Sequence, residues 1–511
     1  MKITTTALII WLHLIWPVIC GEYLISLKTP KALQNVFDFK IGGSTVKELI
    51  ESKIRRRFSF GKFNAISVDI PPMIASKLKD VPFISDVVTN AKISLFDEFT
   101  HIASTLKDDE YQYDFDTEYA DDDEEQDEIY SEIGDDDDDN SGDDDSDVWD
   151  DFTSQYRAPR HLARISRRTQ LPIFEQDDSP SSALQYHYRE EHQGKGVYVY
   201  VLDSGISHSH PDFEGRTMRG IDTTGEGSGD LIGHGTHVAG LIGSKTYGVA
   251  KKANIVEVKV LDSMGRGTVS DIIEGLEYVV NQCVAKKRKC VINMSLGAPG
   301  THTILDRAIS AVIDEGVVVV VAGGNSGLNA CWYSPAKVRK AITVAALDDR
   351  TDLMASFSNW GPCVDIWAPG VNIKSLSNIN RNTLVLSGTS MASPIVAGAA
   401  AVYLDQGYSP DEIRKLLIKT STKGIFKKRA IALRPRTPNK VLYTGGNQND
   451  DEFDYAVYPL IDENKFMDQL EGATGHIEPT RDPGINLIIH GRRILAPHLN
   501  SLFKKKHHYN V

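Results

Sequence analysis

Apolar and polar positions divide the chain into stretches of different texture. The first is an apolar run from Ala7 to Ile19, preceded by Lys2 and broken by Pro17. It is short for a membrane span, which needs ~20 apolar residues, and reads as an export signal over residues 1–20. Next, Tyr23–Lys28 and Ile66–Ile70 alternate like strands, while Val46–Ile54 has helical spacing. Pro72–Lys79 fits a second helix, and Ile84–Phe96 holds one or two further strands. These elements predict a small α+β domain over residues 21–96 with a marginal core of its own.

From about residue 156 a larger α/β pattern takes over. Val197–Leu202 is a strand ending at Asp203, His234–Gly243 opens a helix, and Ile255–Leu261 is the next strand. Val269–Asn281 (helix), Cys290–Leu296 (strand), Ile304–Glu315 (helix) and Val317–Val321 (strand) continue the alternation. Continuous apolar strands of this kind suit a parallel sheet covered by helices on both faces, joined by right-handed crossovers. In such sheets the working residues collect at the strand C-terminal ends, where Asp203 and Asn325 both fall. The pattern lapses after Asn439–Tyr443. Residues 446–511 form a polar tail that is apolar only over Gly484–Leu495 and ends in a basic stretch, Lys504-Lys505-Lys506-His507-His508.

Charge changes this picture in one place. Residues 97–151 hold 27 acidic side chains and a single basic one, Lys107, so this block carries −26 and the rest of the chain +12 of the formal −14. With few β-branched residues and no apolar period, residues 97–155 read as a disordered acidic linker. It is either a solvated spacer or a strap across a basic surface. Nucleic acid is not an expected partner, because the basic residues form no groove interleaved with aromatics. Five cysteines occur, and four remain once Cys20 leaves with the signal. That even number suits an oxidising compartment, and the Lys286–Lys289 run between Cys283 and Cys290 would repel a metal cation.

The candidate chemistry centres on Ser387-Gly388-Thr389-Ser390-Met391-Ala392-Ser393-Pro394. An apolar approach, a small-residue turn and the helix former Ala397–Leu404 place Ser390 at a helix N-terminus. Unpaired N–H groups there face any negative charge beside the hydroxyl, and Pro394 is tolerated in the first turn. Alone, Ser390 is equally a helix cap. A serine nucleophile needs a base, and the base an orienting acceptor. His234 lies in Gly233-His234-Gly235-Thr236-His237-Val238-Ala239-Gly240, with His237 as the competing base, and Asp203 lies in Val201-Leu202-Asp203-Ser204-Gly205-Ile206.

The order Asp203, His234, Ser390 with these flanks resembles the subtilisin superfamily of serine proteases, most closely its proteinase K-like branch. Leu162–Ser166, Thr246–Lys252, Tyr333–Ala336 and Ser356–Gly361 support the likeness, which spans residues 158–445. The resemblance implies a subtilisin-like parallel sheet sandwiched by helices over 156–445, preceded by the small α+β propeptide domain and the acidic linker. It makes Ser390 the nucleophile, His234 the general base and then acid, and Asp203 the group that orients the imidazole. Asn325, in Gly323-Gly324-Asn325-Ser326-Gly327, takes the oxyanion-hole position beside the Ser390 N–H. Substrate backbone should pair as an added strand with Gly265, Arg266 and Gly267 on one side and Ser295, Leu296 and Gly297 on the other. Arg266 either selects an acidic substrate group or points to solvent.

The same resemblance pairs Cys331 with Cys363, leaving Cys283 for Cys290. It offers Asp365 as a ligand of a structural calcium, with no cofactor required for the chemistry. Ile395, Ala298 and Gly323 depart from the family pattern and leave the P1 preference open. Asn293-Met294-Ser295 is formally a glycosylation signal but lies on an expected buried strand. The implied protein is a secreted or cell-surface monomeric endopeptidase acting on proteins or peptides. It is made as a zymogen with its own propeptide as inhibitor and is cut near Phe96 and near Tyr156. A non-catalytic binding protein on the same scaffold is the competing reading, against which the complete set Asp203, His234, Asn325 and Ser390 argues.

Overall fold

The computed structural model describes residues 20–95 apart from 30, 31 and 42, residues 152–445 apart from 172–183 and 380, and the strands 486–489 and 492–495. The export signal (residues 1–19), the acidic linker up to residue 151, Phe96 and most of the polar tail lie outside the described residues. The chain divides into two units, residues 1–448 and 449–511. In the second, Asn486–Ile489 pairs antiparallel with Arg492–Leu495, within the apolar exception of the tail.

The N-terminal part of the first unit is an antiparallel sheet of four strands, β1 (Gly21–Leu27), β2 (Ile54–Phe60), β3 (Phe63–Ile70) and β4 (Ile84–Thr89), in the order β2-β3-β1-β4. Three short helices accompany it, α1 (Ala32–Asp38), α2 (Val46–Ile50) and α3 (Pro72–Leu78). The predicted helix over 46–54 is shorter than expected. Thr45 and Glu48 close a capping box at its start, and after Ile50 the chain tightens into one 3₁₀ turn before β2. Period-two alternation gives the sheet two buried faces. Ile66, Val68 and Ile70 pack with α1, α2 and α3, whereas Leu24, Phe58, Phe60, Phe63 and Ala65 join the core of the following domain.

That domain is built on β8 (Val197–Asp203), preceded by β5 (Lys92–Ser94) and by the antiparallel pair β6 (Phe152–Tyr156) and β7 (Gln185–Arg189), with helix α4 (Arg160–Ile165) between the two. From β8 the chain runs outward through β9 (Thr217–Asp222), helix α5 (His234–Gly243) and β10 (Asn254–Lys259). It then crosses back through α6 (Val269–Ala285), β12 (Lys289–Met294), α7 (Thr303–Asp314), β13 (Val318–Ala322), β14 (Ile342–Asp348) and β15 (Ile366–Pro369). The sheet order is β9-β10-β8-β12-β13-β14-β15, all parallel, and a parallel bridge at Val441 and antiparallel Thr422–Lys423 extend it. Strand β11 (Arg266–Thr268) stands apart and pairs with β5.

Strand alternation sets the two layers. Val197, Val199 and Val201 share a core with α5 and with helix α8 (Thr389–Asp405), while Tyr200 and Leu202 pack with α6 and α7. Helix α8 is buried along nearly its whole length, from Thr389 to Ala401. Strand β6 requires a correction to the linker boundary. Residues 152–156 pair with 185–189, and the Gln155 amide donates to the Thr246 carbonyl at 3.0 Å. The structured domain therefore begins four residues before the expected position 156.

Candidate active site

The sheet order reverses at β8, because β10 and β12 flank it while the chain leaves toward one side and returns toward the other. Asp203 ends that strand, fully buried at the topological switch point. Its Oδ1 accepts from His234 Nδ1 at 2.7 Å and from the Ser204 N–H at 2.8 Å. Since a carboxylate can only accept, this contact puts the imidazole proton on Nδ1 and leaves Nε2 as the basic nitrogen.

His234 is the first residue of α5, and the glycines around it are there for space. Gly233 has φ +98°, and a Cβ at Gly235 would lie 2.1 Å from the Gly205 carbonyl oxygen. The competing His237 is committed elsewhere. Its Nε2 donates to the carbonyls of Ile373 (3.0 Å) and Leu384 (3.1 Å), and burial lowers its pKa to about 3.

Ser390 sits in the first turn of α8, 4 % exposed, and its Oγ donates to the Ser295 carbonyl at 3.2 Å. Asn325, just past β13, has an orientation that its neighbours dictate. Its Oδ1 accepts from the Thr389 N–H at 2.9 Å and from the Thr389 hydroxyl at 2.8 Å. That hydroxyl in turn accepts from the Gly324 N–H at 3.0 Å. The Asn325 Nδ2 is thereby turned to the Gly388 side, 3.1 Å from where a Cβ at Gly388 would stand. Thr389 was not singled out from sequence; its place between Gly388 and the nucleophile was the available signal.

The two expected substrate edges are brought to one strand. Antiparallel pairing sets Arg266, Gly267 and Thr268 against Ser94, Ile93 and Lys92, and Ser94 also bridges Gly297. The Leu95 N–H donates to the Gly265 carbonyl at 3.0 Å. Of the two glycines, only Gly265 faces this strand, where a Cβ would meet Leu95 at 3.0 Å. At Gly267 a Cβ would strike the Val260 carbonyl oxygen at 2.2 Å. Leu296 is buried in the core, and Arg266 is largely exposed with Asp262 beside it at 3.8 Å. Asn293 is fully buried and bonded to Ser295 and Ser393.

Disulfides join Cys331 to Cys363 and Cys283, at the end of α6, to Cys290 in β12. Asp365 does not fit the calcium-ligand expectation. Its Oδ1 accepts from Arg414 Nε at 3.1 Å and from Nη2, and its Oδ2 from the Thr343 N–H at 2.9 Å. A guanidinium thus occupies the cation position. Burial raises the Asp365 pKa, Arg414 opposes that, and no group of three or more acidic, His or Cys side chains able to hold a metal exists among the described residues.

An aspartate, a histidine and a serine collected at the C-terminal edge of a parallel sheet is the layout of a serine-type hydrolase. A profile described as "Subtilase family" matches residues 194–447. The subtilase-type proteinase RRT12 of Saccharomyces cerevisiae is 41 % identical over 456 residues, covering 88 % of this chain and 87 % of its own. An extracellular serine proteinase of a Thermus species is 44 % identical over 301 residues, covering 57 % of this chain and 68 % of its own. A solved cold-adapted subtilisin-like serine proteinase is 38 % identical, covering 57 % of this chain and all of its own, with a TM-score of 0.49. The chain belongs to the subtilase family of serine endopeptidases.

Proposed function

We propose that this chain is a secreted or cell-surface endopeptidase made as a zymogen, with Asp203, His234 and Ser390 as its triad. His234 Nε2 takes the Ser390 proton as Oγ attacks the scissile carbonyl, while Asp203 keeps the imidazole in the reactive tautomer and stabilises its cation. The Asn325 Nδ2 and the Ser390 N–H receive the oxyanion, in a water-poor site where fixed donors act most strongly. The imidazolium then protonates the leaving amine, and water releases the acyl group by the reverse sequence. No cofactor enters these steps. Protein or peptide substrates lie extended between Gly265–Gly267 and Ser295–Gly297, and the working form is a monomer.

The observation that carries this reading is the seating of β5. Ser94, at the end of β5, bridges Gly297 in the antiparallel sense, and Gly297 lies two positions past Ser295. The Ser295 carbonyl is the group that Ser390 Oγ touches. Residues 21–96 are thus read as an inhibitory propeptide whose strand β5 lies along the proposed substrate edges, with the first cut near Phe96. The second cut falls before Phe152, since β6 belongs to the catalytic domain. Among the described residues no helix is long and apolar enough to cross a membrane.

The test compares exported wild-type protein with Ser390→Ala, following fragment masses together with hydrolysis of a mixed peptide library. Self-trimming and peptide cleavage by the wild type alone support the triad. Identical trimming of both with cleavage by neither would overturn it.

A further inference from the structure

Two loops must hold the His234–Asp203 contact in register: the one after β8, which carries Asp203, and the one before α5, which carries His234. A single buried carboxylate ties them together. Asp230 Oδ1 accepts from the Ser204 hydroxyl at 2.9 Å, the Ile232 N–H at 3.0 Å and the Gly233 N–H at 2.9 Å. Its Oδ2 accepts from the N–H and the hydroxyl of Thr236, at 2.8 and 2.7 Å. The two hydroxyls extend the tie. Ser204 Oγ accepts from the Gly235 N–H at 3.1 Å, and Thr236 Oγ1 from the Ser207 N–H at 3.0 Å. Gly235, after His234, is therefore bound directly to Ser204, the residue that follows Asp203, and Gly233, before it, is bound to Ser204 through Asp230.

We propose that Asp230 is a positioning residue for catalysis, setting the His234 imidazole against Asp203 and toward Ser390; this rests on the triad reading above. Hydrogen-bond polarity requires a carboxylate at this position. All five groups facing Asp230 are donors, because Ser204 Oγ and Thr236 Oγ1 each accept elsewhere and so turn their protons to the carboxylate. Only a side chain with two acceptor oxygens satisfies them. An asparagine of the same shape aims its amide hydrogens at Thr236 in one orientation and at Ile232, Gly233 and Ser204 in the other. Either way buried donors face each other, and the loop must move to relieve them. A displacement of about 1 Å at a general base costs on the order of 10²-fold in rate.

The experiment uses full-length Asp230→Asn and Ser204→Ala proteins, activated by a trace of affinity-tagged wild-type enzyme that is then removed. Each is titrated with a small fluorophosphonate, which needs the Ser390–His234 pair but not the cleft edges. The amplitude counts folded sites and the rate constant reports their geometry. For Asp230→Asn the expected result is a near-normal amplitude, with phosphonylation rate and kcat falling together by about 10- to 100-fold and KM unchanged within about twofold. Ser204→Ala, which loses that hydroxyl's contacts with Asp230 and Gly235 but leaves the other four donors on Asp230, should lose about three- to tenfold and carries the test if Asp230→Asn does not fold. A normal rate constant in folded protein, or a loss confined to amplitude or to KM, overturns the proposal. If Ser390→Ala itself still reacts and cleaves, the triad reading has failed rather than the role of Asp230.

Discussion

The two structured parts of the first unit bury different things. Among the described residues between 20 and 95 the buried polar side chains are Ser26, Asn64 and Ser67, and the other buried side chains are apolar. The catalytic domain instead buries Asp203, Asp230, Glu257, Lys259, Arg160 and Arg164. Arg160 and Arg164 pair with Asp349 and Asp352, and Lys259 Nζ donates to the Ser204 carbonyl at 2.6 Å. Desolvation alone would push the Glu257 carboxyl up, yet hydrogen bonds from His208, Ser228, Gly229 and Ile206 hold it at about 2. Buried charge of this kind fixes loop geometry without adding much stability. The large apolar core of the catalytic domain can carry that cost. The N-terminal domain, by contrast, lends one sheet face to its partner and keeps only the other for itself.

The sharpest way to separate the two parts is at the nucleophile. Ser390→Ala should lower kcat by about 10⁶-fold, the scale for removing one member of a unit that acts together. The fold and the seating of β5 should be unchanged, which hydrogen exchange checks, while burst kinetics with an activated ester check the loss of acylation. Asn325→Ala should cost about 10²- to 10³-fold in kcat, with little change in KM, because its amide acts on charge that exists only in the transition state. A matched rise in KM would place Asn325 in substrate binding instead.

Phe37 and Phe60 test the division within the N-terminal domain, being the same residue type at the same 4 % exposure. Phe37 packs in that domain's own core and Phe60 in the shared one. Truncating a buried Phe to Ala costs about 3–5 kcal/mol. In the full-length Ser390→Ala background, Phe37→Ala should raise hydrogen exchange across β1 and β3. Phe60→Ala should instead raise it first in β5 and the facing turns of α6 and α7. Indistinguishable exchange maps would show that the two faces are one cooperative core.

Much of this architecture was legible from residues. Val197–Leu202 announced a strand buried on both faces, and His234–Gly243 announced the helix α5. Strand β2 was hidden because Arg55, Arg56 and Arg57 break its apolar pattern. They are spent on partners far away in sequence: Arg55 on Asp69, Arg56 on Asp271 and Glu274, and Arg57 over the Phe37 ring. Asp365 was misread for the same reason, since Arg414 lies 49 positions along. Asp230 left no local trace because its meaning depends on five donors from two loops. Periodicity reports burial, whereas hydrogen-bond polarity between distant loops becomes visible only in three dimensions.

Acid should separate the two parts in the order their interiors dictate. His237 is buried neutral with a pKa of about 3, and its unfolded value is about 6.5. The unfolded state therefore binds the extra proton between these values. Stability is retained above about pH 6.5 and lost as pH falls, by up to about 1.4 kcal/mol per pH unit from this group. No histidine occurs in residues 20–95. Exchange protection measured from pH 7 to 4 should thus fail first in α5 and near the Ile373 and Leu384 carbonyls, and His237→Gln should flatten that slope. Loss beginning in the N-terminal domain would contradict this origin.

The smallest effect belongs to Arg56, which joins the two parts by charge. Its Nη1 lies 2.6 Å from Asp271 and 3.0 Å from Glu274, at a position about one-third exposed. Solvent screening at such a site limits the gain, so Arg56→Ala should weaken docking of the N-terminal domain by about three- to tenfold. Asp271 also caps α6 through Thr268, whose hydroxyl and N–H both donate to its Oδ2, at 2.6 and 2.8 Å. Removing Arg56 leaves that cap intact, so the loss should appear in docking and not in the stability of α6. Exchange at β5 read at low and at 1 M salt tests this. The difference between wild type and Arg56→Ala should shrink as the Debye length falls to about 3 Å. A salt-independent difference would mean that the arginine stem, packed along the interface, contributes more than its charge.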